Sequence, residues 1–283
     1  MLDDIRAALA RQTPRLAGAP VVPLGAGLDN VAYEAGGELV LRRSRSGDAA
    51  TRLAAARREA ALLTAVAAVV ALPMPEPVFV DEPTGILAYR RLPGAPLLFR
   101  PVADPAALAE PLARFLTALH ADGDGALSAL VEADDATGEE WLAGAAASYE
   151  AAAAAIPPAG RRRVEAFLAA PPPGPPRRTV FCHNDLGAEH VLVDGAAITG
   201  VIDWTDAAIA DPAVDLGRLY RDLGPDVVAR IAASYGGHAD AVEPGRVAFY
   251  ARCALLDDIA YGVEAGAEDY ARLGLAHLDR TFG

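Results

Sequence analysis

Residues 181–190 read FCHNDLGAEH and residues 200–204 read GVIDW. Together they carry Asp185, His190 and Asp203 on two short apolar runs joined by a tight turn. Residues 191–193 (VLV) have the composition of a buried strand, Asp194-Gly195 is a hairpin-turn pair, and residues 198–204 read as the returning strand. The hairpin is expected to bring Asp203 back beside the loop that bears Asp185. Phosphoryl transfer asks for such a set: one carboxylate near an acceptor hydroxyl, and two further ligands for the metal ion on the nucleotide phosphates. Asp203 offers the hard oxygen that Mg2+ prefers. His190 is a departure, because imidazole suits Mg2+ poorly; it would ligate through a neutral nitrogen or hold a metal-bound water. A bare β-hairpin with acidic turns accounts for either half of the pattern alone, but less readily for both halves at this spacing.

Periodicity and turn residues give the elements that must hold these groups. Residues 4–16 pattern as a short amphipathic helix. Strands are expected at 21–24, 31–34 and 39–41, around a loop with Gly25, Gly27 and Asn30 and the Gly36-Gly37 turn. A glycine-rich hairpin lets backbone amides approach phosphates closely, although G-x-G is also an ordinary turn. A helix over 50–68 carries Glu59, and strands at 78–80 and 86–89 follow the stiff PMPEP segment. The break at Pro93-Gly94 divides a β-rich N-terminal domain, 1–93, from a mainly helical domain, 94–283. In the latter, helices are expected over 107–120, over 137–155, to about 169 and in pieces over 224–282. His120 is expected to close its helix by interacting with the last carbonyls. Asp211-Pro212 starts another helix, with Asp211 as N-cap and Asp215 one turn in.

Composition narrows the function classes. No run of about 18 apolar residues occurs, so no membrane span is expected, and the acidic amphipathic start is unlike a secretory signal. Cys182 and Cys253 stand far apart without a CxxC partner and read as buried thiols; a cytoplasmic protein fits. The net charge of −13 argues against nucleic acid and suits a cationic small molecule, though it equally serves solubility. All 25 basic residues are Arg, and the only Asn residues are Asn30 and Asn184. Any phosphate contact ordinarily made by Lys must therefore fall to Arg, and a second metal-binding Asn has no obvious candidate.

The order His183-x-Asp185 with His190 five residues on, then Asp203-Trp204-Thr205, resembles the kinase catalytic loop and the metal-binding Asp that follows it. The fuller wording, His183-Asn-Asp185, Val201-Ile-Asp-Trp204 and Asp211-Pro-Ala-Val-Asp215, resembles the aminoglycoside phosphotransferase family. That likeness is sharpest over about 180–220. It implies an α+β, two-lobed protein-kinase-like fold, with a small β-rich N-lobe and a larger α-helical C-lobe. It implies Mg2+, with ATP or GTP as co-substrate. His at position 190 resembles the 2''-aminoglycoside and macrolide subgroups, in which GTP use is common. Asp185 would accept or orient the proton of the attacking hydroxyl, His183 would hold the loop backbone, and His190 and Asp203 would bind the metal. Arg42 stands where the family places its phosphate-binding Lys, and Glu59 would orient it, or instead pair with Arg neighbours on its own helix. Arg91 and Leu92 fall at the hinge whose backbone reads the base. Asp211 and Asp215 would be structural.

The acceptor would bind beside Asp185, with Glu189, Asp206, Asp257, Asp258, Tyr261, Glu264, Glu268 and Asp269 as candidates to recognise a polycation or as ordinary surface. The reading is Mg-nucleotide-dependent phosphorylation of a hydroxyl on an aminoglycoside-like molecule, by a monomer or weak dimer. Two alternatives stay open: a kinase of a macrolide, sugar or amino alcohol, and a nucleotide-binding pseudokinase.

Overall fold

A computed structural model of the chain describes residues 1–26, 30–45, 47–121 and 125–283. It divides into two compact units: residues 1–94 with 199–205, and residues 95–198 with 206–283. The fold is mixed α+β, with a β-sheet N-terminal region and a helical C-terminal region.

In the first unit, α1 (Leu2–Gln12) precedes β1 (Val21–Ala26), β2 (Asn30–Ala35) and β3 (Leu39–Ser44). Then come α2 (Ala49–Ala67), β4 (Pro77–Asp81) and β5 (Ile86–Arg90). The five strands form one antiparallel sheet in the order β1-β2-β3-β5-β4. Side chains alternate across a strand, and the alternation sorts the two faces. Leu39 and Leu41 of β3, with Ile86 and Ala88 of β5, join Ile5, Ala8 and Leu9 of α1 in one apolar cluster. Val40 and Arg42 project from the opposite face, where α2 packs on β3, β4 and β5. The helix starts at Asp48, whose carboxylate accepts from the Thr51 amide at 2.8 Å.

The second unit contains β6 (Ala95–Pro96), α3 (Ala109–Leu119), α4 (Gly138–Ala152), α5 (Pro158–Leu168), β7 (Val180–Cys182) and β8 (Val191–Asp194). β9 (Ala197–Val201) follows, and the division between the units falls inside it. β10 (Ala208–Ala210), α6 (Ala213–Leu223), α7 (Pro225–Ser234), α8 (Pro244–Glu264) and α9 (Glu268–Phe282) complete the chain. β10 pairs with β7, and β6, β8 and β9 form a second small sheet. The long helix α8 is the packing axis, touching α4, α6 and α9. Gly217 of α6 permits a close approach to α8, since a Cβ there would stand 2.6 Å from Tyr250 Cβ and 3.1 Å from the Ala251 amide nitrogen.

Two expectations are corrected. The strand read over 198–204 ends at Val201, and Asp203 lies past it in the left-handed region at φ 60. His120 does close α3, but its ring turns inward: Nε2 lies 3.1 Å from Asp215 Oδ2 and Nδ1 2.8 Å from Tyr235 Oη. Both cysteines are buried thiols, and no helix among the described residues is long and apolar enough to cross a membrane.

Candidate active site

β7 delivers the chain into the loop that carries Asp185. The buried carboxylate of Asp215, in the first turn of α6, holds that loop by its backbone. Oδ2 accepts from the His183 amide at 3.0 Å and Oδ1 from the Asn184 amide at 2.8 Å. Asn184 sits at φ 68, with its side-chain amide donating to Asp134 at 3.0 Å. Asn184 and Asp203 are the only non-glycine residues with positive φ among the described residues. Such strained backbone persists where surrounding contacts enforce it, commonly at functional sites. His183 is buried, and its Nδ1 accepts from the Asp185 amide at 3.3 Å.

Asp185 lies between a guanidinium and an imidazole. Arg218 Nε lies 3.4 Å from Oδ1 and His190 Nδ1 lies 3.4 Å from Oδ2. Burial works against its charge, but Arg218 and His190 outweigh it and hold the carboxyl below its ordinary value. His190 Nδ1 also donates to the Asp185 carbonyl at 2.8 Å. That bond fixes the tautomer with its lone pair on Nε2, the arrangement that metal-binding histidines use. Ligand atoms of Asp185, Glu189 and His190 all lie within 4.8 Å of one another. The carboxylate of Asp203 is the oxygen donor that Mg2+ prefers, whereas the imidazole of His190 suits that ion poorly.

Behind this loop lies a cluster that sequence reasoning missed. Arg221 is buried and meets three carboxylates: Glu189 at 2.9 Å, Asp222 at 2.8 Å and Asp258 at 3.0 Å. Asp222 also accepts from the Ala188 amide at 2.7 Å, fastening the far end of the loop. Burial and the neighbouring carboxylates push Asp258 up to about 7 despite Arg221. Glu189 and Asp258 thus stand around Arg221, and Asp257 accepts from Ser148 at 2.5 Å. Tyr261 is exposed with its ring edge-on to Tyr270, and Asp206, Glu264, Glu268 and Asp269 are exposed. Asp211 accepts from the Ala213 amide at 3.0 Å, from Arg246 at 2.8 Å and from Tyr250 at 2.9 Å.

In the first unit, Arg42 is buried and forked. Nη1 donates to Glu59 at 2.7 Å, and Nη2 donates to Asp203 at 2.7 Å and to Thr205 Oγ1 at 2.6 Å. The Thr205 hydroxyl in turn donates to Asp203 at 2.8 Å. Burial opposes the charge on Arg42, but Glu59 and Asp203 hold its pKa far above the ordinary value. Asn30 opens β2 opposite Ser44, and Gly25 lies on exposed β1 next to a register shift. Gly27 lies outside the described residues. Arg91 pairs with Glu34 at 2.7 Å and its amide donates to the Glu38 carbonyl at 2.8 Å, while Leu92 lies over Gly200. The partners of Arg221 come from positions 189, 222 and 258, so only an Arg inside an apolar helical stripe hinted at the cluster.

The family described as Phosphotransferase enzyme family (APH) matches residues 20–250. Viomycin phosphotransferase of Streptomyces vinaceus is 32% identical over 205 residues, covering 69% of this chain and 70% of that protein. N-acetylmuramate/N-acetylglucosamine kinase of Caulobacter vibrioides is 48% identical over 48 residues, 16% of this chain and 13% of its own. Among solved structures, the GDP and kanamycin complex of APH(2")-IIIa has a TM-score of 0.73 at 23% identity, covering 98% of both chains. Macrolide 2'-phosphotransferase MphH of Brachybacterium faecium has a TM-score of 0.64 at 26% identity, also covering 98% of both.

Proposed function

The chain belongs to the phosphotransferase enzyme family, and on that premise we propose that it phosphorylates a hydroxyl of a cationic, aminoglycoside-like antibiotic, using ATP or GTP with Mg2+. The observation that carries the reading is the setting of Asp185. Its carboxyl is kept ionised between Arg218 and His190, on a loop whose two preceding amides are tied to Asp215. An ionised carboxylate so held can orient an incoming hydroxyl and take its proton as transfer proceeds, where positioning outweighs basicity. Arg42 supplies fixed positive charge for the phosphates, oriented by Glu59. Asp203 and His190 would hold Mg2+, which would neutralise charge on the phosphate oxygens. The backbone about Arg91 and Leu92 would meet the base. GTP is favoured alongside ATP because a solved relative is a GDP complex.

A cationic acceptor suits the exposed carboxylates Asp206, Glu264, Glu268 and Asp269 and the exposed ring of Tyr261. Viomycin belongs in the same test because of the 32% identical relative. The second reading, a macrolide acceptor, is favoured by the likeness to MphH.

The test is mass spectrometry of a panel incubated with the protein, Mg2+ and ATP or GTP: aminoglycosides, viomycin, macrolides, amino sugars and amino alcohols. A phosphate mass gain on an aminoglycoside or viomycin is expected, falling by about a thousandfold or more in Asp185→Asn. Gain on a macrolide alone would select the second reading. Nucleotide binding with no transfer to any acceptor, indifferent to Asp185→Asn, would sink both in favour of a pseudokinase.

A further inference from the structure

Asn184 is the residue through which the chain turns into Asp185, and it does so in the left-handed region at φ 68. Asn is enriched in that region among non-glycine residues, but it stays there only where contacts hold it. Two carboxylates from separate segments supply them. Asp215 takes the backbone amide at 2.8 Å, and Asp134 Oδ2 takes the side-chain amide, Nδ2, at 3.0 Å. The first grips the peptide that enters the turn. The second grips the side chain and so fixes the Cα about which the turn is made.

Asp134 is set in place by the sheet. Its amide donates to the Ile209 carbonyl at 2.9 Å, and the Ile209 amide donates to the Glu132 carbonyl at 2.9 Å. Ala133 and Ile209 form a parallel bridge, while β7 pairs with β10 through Phe181 and Ile209. Residues 132–134 therefore lie along the edge of β10 that β7 leaves open. β7 is also the strand that leads into the catalytic loop, so the segment bearing Asp134 and the loop bearing Asn184 share one short ribbon. Oδ1 of the half-buried Asp134 accepts from the Ala136 amide at 3.1 Å, just before the Thr137 cap of α4. The carboxylate is thus oriented by its own backbone, with Oδ2 toward Asn184.

We infer that Asp134 is a positioning residue for phosphoryl transfer: by holding the Asn184 side chain, it sets the direction in which the loop presents Asp185 to the acceptor hydroxyl. The inference rests on the phosphotransfer reading above. Because Asp134 acts through the turn, its effect belongs to kcat. A catalytic carboxylate displaced by about 1 Å can cost up to about a hundredfold in rate, while binding contacts made elsewhere are kept.

The experiment is steady-state kinetics of the purified full chain with the acceptor and nucleotide that the wild type uses, beside a thermal scan showing that each variant is folded. The variants are Asp134→Ala, Asn184→Asp, and the exchange Asp134→Asn with Asn184→Asp. Asp134→Ala is expected to lower kcat about tenfold and to leave both KM values within about twofold. Asn184→Asp keeps a side chain that tolerates the left-handed region but sets acceptor against acceptor, and should lose about as much. The exchange restores a donor facing an acceptor, with the amide now at position 134, and should recover most of the kcat lost in Asn184→Asp. A merely structural contact would lower the melting temperature and leave the kcat of the folded enzyme unchanged; that result overturns the inference and leaves the phosphotransfer reading intact. An exchange no more active than Asn184→Asp overturns it as well. Should Asp134→Ala fail to fold, Asn184→Asp and the exchange decide alone. A wild type that transfers phosphate to no acceptor overturns the reading and the inference together.

Discussion

Arg42 performs with a fork what an ammonium would do as a point charge. One arm reaches Glu59 while the other reaches Asp203 and Thr205, so a single side chain ties helix α2 to the metal-ligand candidate. Arg42→Lys keeps the charge but cannot span both carboxylates in this geometry. It should raise the nucleotide KM several-fold and lower the melting temperature by a few degrees, read by steady-state kinetics and a thermal scan. Arg42→Ala strands Glu59, whose carboxyl burial already pushes upward, and should cost about 3 kcal/mol in urea unfolding. The Arg42–Glu59 partnership was legible through the resemblance to the kinase Lys–Glu pair, against the alternative that Glu59 pairs with Arg neighbours on its own helix. Thr205 was not legible as a partner, because its contact depends on the turn at Asp203.

Among the elements, α6 does two jobs within its first turns. Asp215 there accepts from two successive loop amides and from His120, and an amide in its place has one acceptor oxygen rather than two. Asp215→Asn should therefore lose about 2 kcal/mol of stability by urea unfolding and lower kcat more than it raises KM. Two residues on, about half a turn around the helix, Gly217 sets the spacing of α6 against α8. Gly217→Ala gains helix propensity of about 1 kcal/mol but forces a methyl into Tyr250 and the Ala251 amide. The net result should be a loss of about 1–2 kcal/mol, checked by the same unfolding curve. Element identities were readable from hydrophobic period and from Gly and Pro punctuation, as in the strands flanking Gly36-Gly37. Two features were not: the early end of β9, since Ile202 and Trp204 continue its apolar alternation, and the inward turn of His120, whose carboxylate partner lies 95 residues away. Local pattern carries no information about either.

At the scale of the whole molecule, two buried titrations run against each other. Burial and Arg280 push His277 down to about 4 from 6.5, so its contribution is complete above pH 6.5 and is lost as pH falls toward 4. Asp258 is raised from 3.8 to about 7, so its contribution is complete below pH 3.8 and is lost as pH rises through about 7. The slopes oppose each other, and stability of the intact protein should be nearly flat between them. Asp258→Asn should leave stability that rises from pH 4 to 6.5, and His277→Gln stability that falls over pH 4 to 7, each followed by urea unfolding across pH. Parallel curves for both variants would show that these groups are not the ones titrating. The division of the chain into its two units has a further consequence, for synthesis. Residues 199–205 complete the N-terminal unit, so a ribosome that has released the sheet and α2 has not yet made Asp203, which lies 161 residues beyond Arg42. During translation Arg42 has Glu59 as its only anionic partner of the final pair. The Arg42 network is therefore completed only after most of the helical unit's chain has emerged, and the N-terminal residues expressed as a fragment should lack it.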